Sequence, residues 1–395
     1  MSESILIFGG SELQLSILTK AKALGFRTIV LDPDSNALAK DYADIFLVVD
    51  ANDYPKTIEI AKKYNISGIV TSSTDNPILM MCRIAAELNL PFPKFDSCLT
   101  VLDKGLFKEF LKKNNLPHAP GKTYSSADEI DFRNIVFPVI IKPSRNSGSR
   151  GVLKCENYDQ LLNSINEISI YCKDGRFIIE KYLNGDEISV EALIYDNKVN
   201  IIQITDKITS PPPYNVELLH IQPSKYSIKI NEITELLQKI VDLTGLNNCA
   251  IHPELKINND NITIIEMGPR LGGDFITSHL VPLSTNIDIE ELVIKLATNK
   301  KFDIIRNENA ALISYLNFEI GSTVTGLLTK DKLIEKFSEV KVFVNHLEIG
   351  SKIPEITNSL NRYGHFIIQA SNIQSLKSLL SEINNYIYSH IFKIN

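Results

Sequence analysis

Short apolar runs alternate with amphipathic stretches from the start of the chain, and this alternation restricts the fold more than any other feature. Ser4-Ile-Leu-Ile-Phe reads as a buried strand that ends at Gly9-Gly10. Helices are expected over Leu13 to Leu24, Tyr54 to Tyr64 and Asn76 to Leu88. Strands are expected over Thr28 to Leu31, Ile45 to Val49 and Gly68 to Thr71. Strands joined through helices form a parallel sheet with right-handed crossovers. The chain therefore opens as an α/β domain whose strand ends shape one wall of a substrate cleft. Gly9-Gly10-Ser-Glu-Leu-Gln lacks the second and third glycines of a dinucleotide fingerprint, and its Glu would repel a pyrophosphate. Asp32, placed about where a ribose-binding acid would sit, does not by itself make this an NAD(P) site.

The chain is long enough, at 395 residues, for several cores, with 44% apolar and 22% charged residues. A formal charge of -6 argues against a general nucleic-acid partner. The five cysteines show no CxxC pair and no Cys/His metal spacing, which fits a reduced compartment. Met1-Ser-Glu-Ser has no basic n-region, and no apolar run is long enough to span a bilayer. A soluble, cytoplasmic protein without a membrane partner is expected.

Chemistry gathers further along. Asp103-Lys-Gly-Leu-Phe-Lys-Glu-Phe-Leu-Lys-Lys reads as an amphipathic helix with Lys104 at its N-terminal end. A lysine there opposes the helix dipole, which suggests that it meets an anion. Phe137-Pro-Val-Ile-Ile-Lys142-Pro is a strand ending in a lysine, followed by the loop Ser144-Arg-Asn-Ser147-Gly148-Ser149-Arg-Gly151. The lysine supplies point charge and the loop supplies amides, a workable phosphate cradle that is not a P-loop. Glu180 ends an apolar strand beside Lys181, Asn184-Gly185 turns the chain, and Glu187 opens the next strand. Carboxylates so placed suit a ribose hydroxyl, and the adjoining backbone an adenine edge.

Between His252 and Asp274 the chain reads as a hairpin with its turn at Asn258 to Asn261. Glu254 and Glu266 fall on neighbouring strands and could share a hard divalent cation. Arg270 follows on a Gly-rich turn with Gly272 and Gly273, where its fork could hold phosphate oxygens. The segment 201–226, with Lys207, a stiff Pro-rich loop and His220, is the expected source of specificity. Taken alone, His220 reads as a structural group that fills a polar gap rather than as a catalytic one.

In this order, Lys104, Ile141-Lys142-Pro143 with its Gly/Ser loop, Glu180 with Glu187, and Glu254 with Glu266 and Arg270 resemble the ATP-grasp superfamily. Ile264-Ile-Glu-Met-Gly-Pro-Arg-Leu-Gly-Gly-Asp274, Asp206-Lys-Ile-Thr and Asn361-Arg-Tyr-Gly-His365 look like the amino-acid ligases related to dipeptide synthetases. The resemblance implies an α/β fold with a Rossmann-like domain over residues 1–97 and an ATP-grasp lid over 98–190. A metal- and substrate-binding region over 191–305 and a small α/β appendage over 306–395 follow. It implies an ATP-dependent carboxylate–amine ligase with small-molecule carboxylate and amine substrates, and a homodimer is a reasonable expectation. Carbamoyl-type or nucleotide-synthesis chemistry, or an ATP sensor without turnover, are the alternatives.

By that resemblance Lys104, Lys142 and the loop residues Ser147, Gly148 and Ser149 would meet ATP phosphates, and Glu180, Lys181 and Glu187 the nucleoside. Glu254 and Glu266 would hold one or two Mg²⁺, with Mn²⁺ as a substitute. Lys207, His220, Arg270, Gly272 and Gly273 would meet substrate, and Arg270 and Lys142 would act in catalysis. The pattern departs at Gly268, where the family most often has an Asn ligand.

Overall fold

The computed structural model describes residues 2–146 and 148–392. The expected alternation appears as β1 (Ser4–Phe8), α1 (Glu12–Ala23), β2 (Arg27–Asp32), β3 (Ile45–Val48), α2 (Tyr54–Lys63), β4 (Ile66–Thr71) and α3 (Ile78–Leu88). The strands form a parallel sheet in the order β3-β2-β1-β4. Two further helices lead away, α4 (Phe95–Leu102) and α5 (Lys104–Lys113).

A separate antiparallel sheet follows, built from β5 (Gly121–Tyr124), β6 (Val139–Pro143), β7 (Leu153–Cys155) and β8 (Phe177–Lys181) in the order β5-β8-β6-β7. Helix α6 (Tyr158–Ile168) covers it. This unit keeps its own small core, with Ile141, Leu153, Leu161, Ile168 and Ile179 buried together. A self-contained core lets such a unit keep its own shape.

The rest of the chain builds one large antiparallel sheet. Its strands are β9 (Asp186–Tyr195), β10 (Lys198–Thr209), β11 (Glu217–Gln222), β12 (Cys249–Asn258), β13 (Asn261–Gly268), β14 (Ala310–Tyr315), β15 (Val340–Asn345) and β16 (Gly364–Ala370). Their order is β13-β12-β9-β10-β11-β14-β16-β15. The strands after residue 305 therefore extend the central sheet instead of standing apart from it. Helices α7 (Ile230–Thr244), α8 (Val281–Thr285), α9 (Ile289–Ala297), α10 (Lys330–Lys336) and α11 (Ile373–Ile391) lie among these strands in sequence. Among the described residues no helix is long and apolar enough to cross a membrane.

The largest core joins the N-terminal sheet to the central one: Leu6 and Ile69 share it with Phe107 of α5, Ile188 of β9, Leu237 of α7 and Ile264 of β13. Helix α5 is thus anchored by its apolar stripe, while Lys104 stands at its first turn. Phe107 is 1% exposed. Phe107→Ala is expected to lower unfolding free energy by about 3–5 kcal/mol in urea titration; a loss below about 1 kcal/mol would contradict this packing.

Candidate active site

Asp103 caps α5 by accepting from the backbone N–H groups of Gly105 and Leu106. The same carboxylate accepts from Ser144 (3.0 Å), Arg145 Nε (3.0 Å) and Arg176 Nη2 (2.6 Å). Burial opposes its charge, yet Arg176 and the cap keep it ionised below the usual carboxylate range. One buried acid therefore joins the helix start, the Gly/Ser loop and the chain leading into β8.

That arrangement aims the lysines. Lys104 Nζ lies 3.0 Å from Glu266 Oε2 and donates to the carbonyl of Asn146 at 2.8 Å. Lys142, at the end of β6, and Lys108, one turn into α5, both reach Glu180, at 2.6 and 2.5 Å. Burial works against ionised Glu180, but Lys142 and then Lys108 hold it below the ordinary range. Lys104 and Lys142 both line one cavity that Gly148, Ser149, Glu180, Lys181, Tyr182, Leu183, Glu187, Glu254 and Glu266 also line. Ser147 lies outside the described residues.

Glu254 of β12 stands directly opposite Glu266 of β13, and a bulge follows at Glu254/Leu255. Glu254 Oε1 is 2.8 Å from Lys207 Nζ, which also lies 3.1 Å from Glu187 and 3.3 Å from Glu217. Burial alone would discharge Lys207, but these three acids, Glu254 first, raise it well above the ordinary lysine value. In return, against burial, Lys207 and His252 hold Glu254 well below the carboxylate range. Both glutamates remain partly open, with side chains 19% and 28% exposed. Among the described residues no group of three or more His, Cys, Asp or Glu side chains is disposed to hold a metal ion by itself. Two adjacent carboxylates facing a cavity nevertheless suit Mg²⁺, which takes its remaining oxygens from phosphates and water.

A second cavity adjoins the first through Gly148, Arg150, Glu217, Glu254 and Glu266, and it is lined by Lys207, His220, Arg270 and Gly273 as well. Arg270 is pinned by Asp75 of the N-terminal domain, with Nε 2.6 Å from Oδ1. Its side chain lies against the bare backbone of Gly268, where an added Cβ would meet the guanidinium carbon at 3.2 Å. The glycine in place of the family's Asn thus makes room for this arginine. Gly272 does not line the cavity. It donates to Glu191 Oε2 at 3.2 Å, and a side chain there would strike Glu191 at 2.6 Å and His252 at 2.7 Å.

Several residues in or behind these cavities carry no signal in the sequence. Glu191 of β9 pairs with His252 Nδ1 at 2.5 Å, while His252 Nε2 sits 3.6 Å from Glu254. Asp75, Asp103 and Glu217 likewise matter through pairings made far along the chain. Arg362 lines the second cavity and steadies the turn before β16. It grips Asp274 with two bonds of 3.0 and 2.6 Å and donates to the carbonyl of Ser359 at 2.9 Å. Gln14, not a nucleotide, fills the turn after β1: it bonds to Ser11 and to the carbonyl of Ser72, and Asp32 accepts from the backbone of Gly10.

Residues 135–278, from just before β6 to beyond the Arg270 turn, match the model of the ATP-grasp domain. The chain carries an ATP-grasp domain. A curated relative, the carbamoyl phosphate synthase large chain of Agathobacter rectalis, is 24% identical over 259 residues, covering 62% of this chain but only 24% of that protein. The whole chain superposes on an L-amino acid ligase of Bacillus licheniformis, with a TM-score of 0.83 at 17% identity over 100% and 99% of the two chains. A biotin carboxylase domain of Hydrogenobacter thermophilus, solved with MgADP, gives 0.72 at 19% identity over 100% and 95%. The ATP-grasp fold therefore extends across the full chain.

Around His252 the domain carries a titrating group. Burial would lower its pKa, but Glu191 raises it to about 9. A proton held more tightly in the folded state stabilises fully below the ordinary value of 6.5 and is lost as pH rises through about 9. Urea unfolding across that interval should show falling stability in the wild-type ATP-grasp chain and a flatter curve in His252→Gln. Parallel curves would contradict the Glu191–His252 pairing.

Proposed function

We propose that this chain is an ATP- and Mg²⁺-dependent ligase that joins a carboxylate to an amine, both amino-acid-like, through an acyl phosphate. One observation carries the reading: Glu254 faces Glu266 at the junction of two cavities, with Lys104 and Lys142 on one side and Arg270 on the other. The full-length likeness to an L-amino acid ligase supports the choice of substrates.

In this reading ATP lies in the first cavity. The backbone of Lys181 to Leu183 borders the base, Glu187 the ribose, and Lys104 and Lys142 neutralise phosphate oxygens. Glu254 and Glu266 hold at least one Mg²⁺, which when bound neutralises charge on the transferring phosphoryl group. Gly268 offers no further side-chain oxygen. Arg270, kept rigid by Asp75, holds the carboxylate in line with the γ-phosphorus. A carboxylate oxygen forms a bond to that phosphorus as the bond to the bridging oxygen breaks, and ADP leaves. The amine nitrogen then bonds to the carbonyl carbon, the carbon–oxygen bond to phosphate breaks, and the nitrogen gives up a proton.

Glu217, held by Ser149 (3.2 Å) from the loop and Ser359 (3.1 Å) from the C-terminal region, keeps the loop over the intermediate and shields it from water. The relative of carbamoyl type favours a second reading, in which bicarbonate is the carboxylate. ADP release from Mg-ATP with amino acids singly and in pairs, and with bicarbonate, tests both. Release is expected only with particular amino-acid pairs and should fall at least about 100-fold in Glu266→Gln. Release with bicarbonate alone would favour the second reading, and ATP binding without release under any condition would overturn both.

A further inference from the structure

A third cavity has no part in the chemistry proposed above. It lies outside the carboxyl ends of the N-terminal strands, where Pro33 follows β2, Asp50 follows β3 and Asp75 follows β4. The unit of β5 to β8 lines it as well, through Arg145, Arg150 and Lys173. Strand ends of this kind are where open α/β sheets hold their ligands. Asn146 and Arg150 also line the first cavity, and Arg150 the second, so the third adjoins both.

Its charges are open to solvent. Arg83 of α3, Arg145 and Lys173 are exposed, and neither Arg83 nor Lys173 forms an ion pair among the described residues. Arg83 lies over the ring of Tyr54 at 4.4 Å, which fixes the plane of its fork while leaving the N–H groups at its edge. Arg145 gives Nε to Asp103 and keeps 44% of its side chain exposed. The acids are occupied: Asp75 by Arg270, Asp174 by Arg176, and Asp50 by the backbone and side-chain N–H groups of Asn52. Leu79, Met80, Phe95 and Leu102 add an apolar surface to the same cavity, with Phe95 38% exposed.

From this we infer that the third cavity seats the amine substrate, and that this substrate ends in a carboxylate carried on an apolar stem. Arg83, Arg145 and Lys173 meet the carboxylate, and Phe95 and Leu79 meet the stem. Four cations against three acids leave a surplus of one charge, which suits a carboxylate better than a phosphate. The amine end then points toward Arg150, where the three cavities meet, and the carboxylate to be activated approaches from the second cavity. The inference rests on the ligase reading for the identity of its ligand. Because the cations stay in contact with water, salt screens their attraction.

The test compares kcat/KM for the dipeptide Gly-Leu and its carboxamide as the amine, with one carboxylate partner throughout and products identified by mass. The carboxamide cannot itself be activated, so it reports on the amine position alone. The free acid should be preferred at least about fivefold, and less so in added salt. Arg83→Gln/Lys173→Gln should abolish the preference through the free acid alone, with kcat/KM for the carboxamide within about twofold. Equal or reversed preference in the wild type, or a preference that survives the double substitution, would overturn the seat. Should no amine be joined, the ligase reading fails by itself. Protection against thermal unfolding by Gly-Leu relative to its carboxamide, with Mg-ADP filling the first cavity, then decides the site. Selective protection lost in the double variant supports it, and equal protection or none refutes it.

Discussion

Two glutamates placed directly opposite each other on neighbouring strands repel, and the pairing of β12 with β13 imposes that arrangement on Glu254 and Glu266. The register is set at the turn, where Asn259 takes a left-handed conformation (φ 52°), and corrected by the bulge beside Glu254. A slip of one residue would turn either side chain to the other face. The repulsion is met from outside the hairpin, by Lys104 at Glu266 and Lys207 at Glu254. Lys207 and His252 keep Glu254 charged, and both acids stay partly open, as a cation-binding pair needs.

Every partner of that pair is positioned by a different layer of the fold. Lys104 depends on the cap at Asp103, which also ties the loop before β7 to the chain entering β8. Lys207 comes from β10, two strands away from β12, and Arg270 is oriented by Asp75 of the N-terminal domain. The central sheet and the N-terminal sheet share one core, whereas the sheet of β5 to β8 buries its own. The first cavity is therefore lined both by the sheet that shares the large core and by the unit that packs independently.

Much of this was legible in the sequence because it was local. Short apolar runs and 3.6-residue periodicity mark the N-terminal alternation, and each expected element there appears within a few residues of its place. Lys104, Lys142, Glu180, Glu187, Glu254, Glu266 and Arg270 converge on two adjoining cavities because short motifs mark strand ends and loops. What was hidden was non-local. Nothing in the sequence says that Asp103 will meet Arg176, that Glu191 will meet His252, or that Arg362 will meet Asp274. The strand Gly364–Ala370 joins the central sheet through β14 and β15, a pairing that no periodicity announces. Gly268 reads as a missing ligand, while in the fold it is the space into which Arg270 lies.

The central claim is that a carboxylate oxygen is transferred to phosphorus before the new bond to nitrogen forms. Following the oxygen tests it most directly. A carboxylate substrate carrying ¹⁸O in both oxygens, turned over with Mg-ATP and an amine, is predicted to deliver one labelled oxygen to the released phosphate, with the other kept in the amide. Unlabelled phosphate, with the displaced label found instead in AMP or in water, or with ATP hydrolysis uncoupled from the carboxylate, would contradict the acyl-phosphate route and the roles proposed for Lys142, Glu254, Glu266 and Arg270.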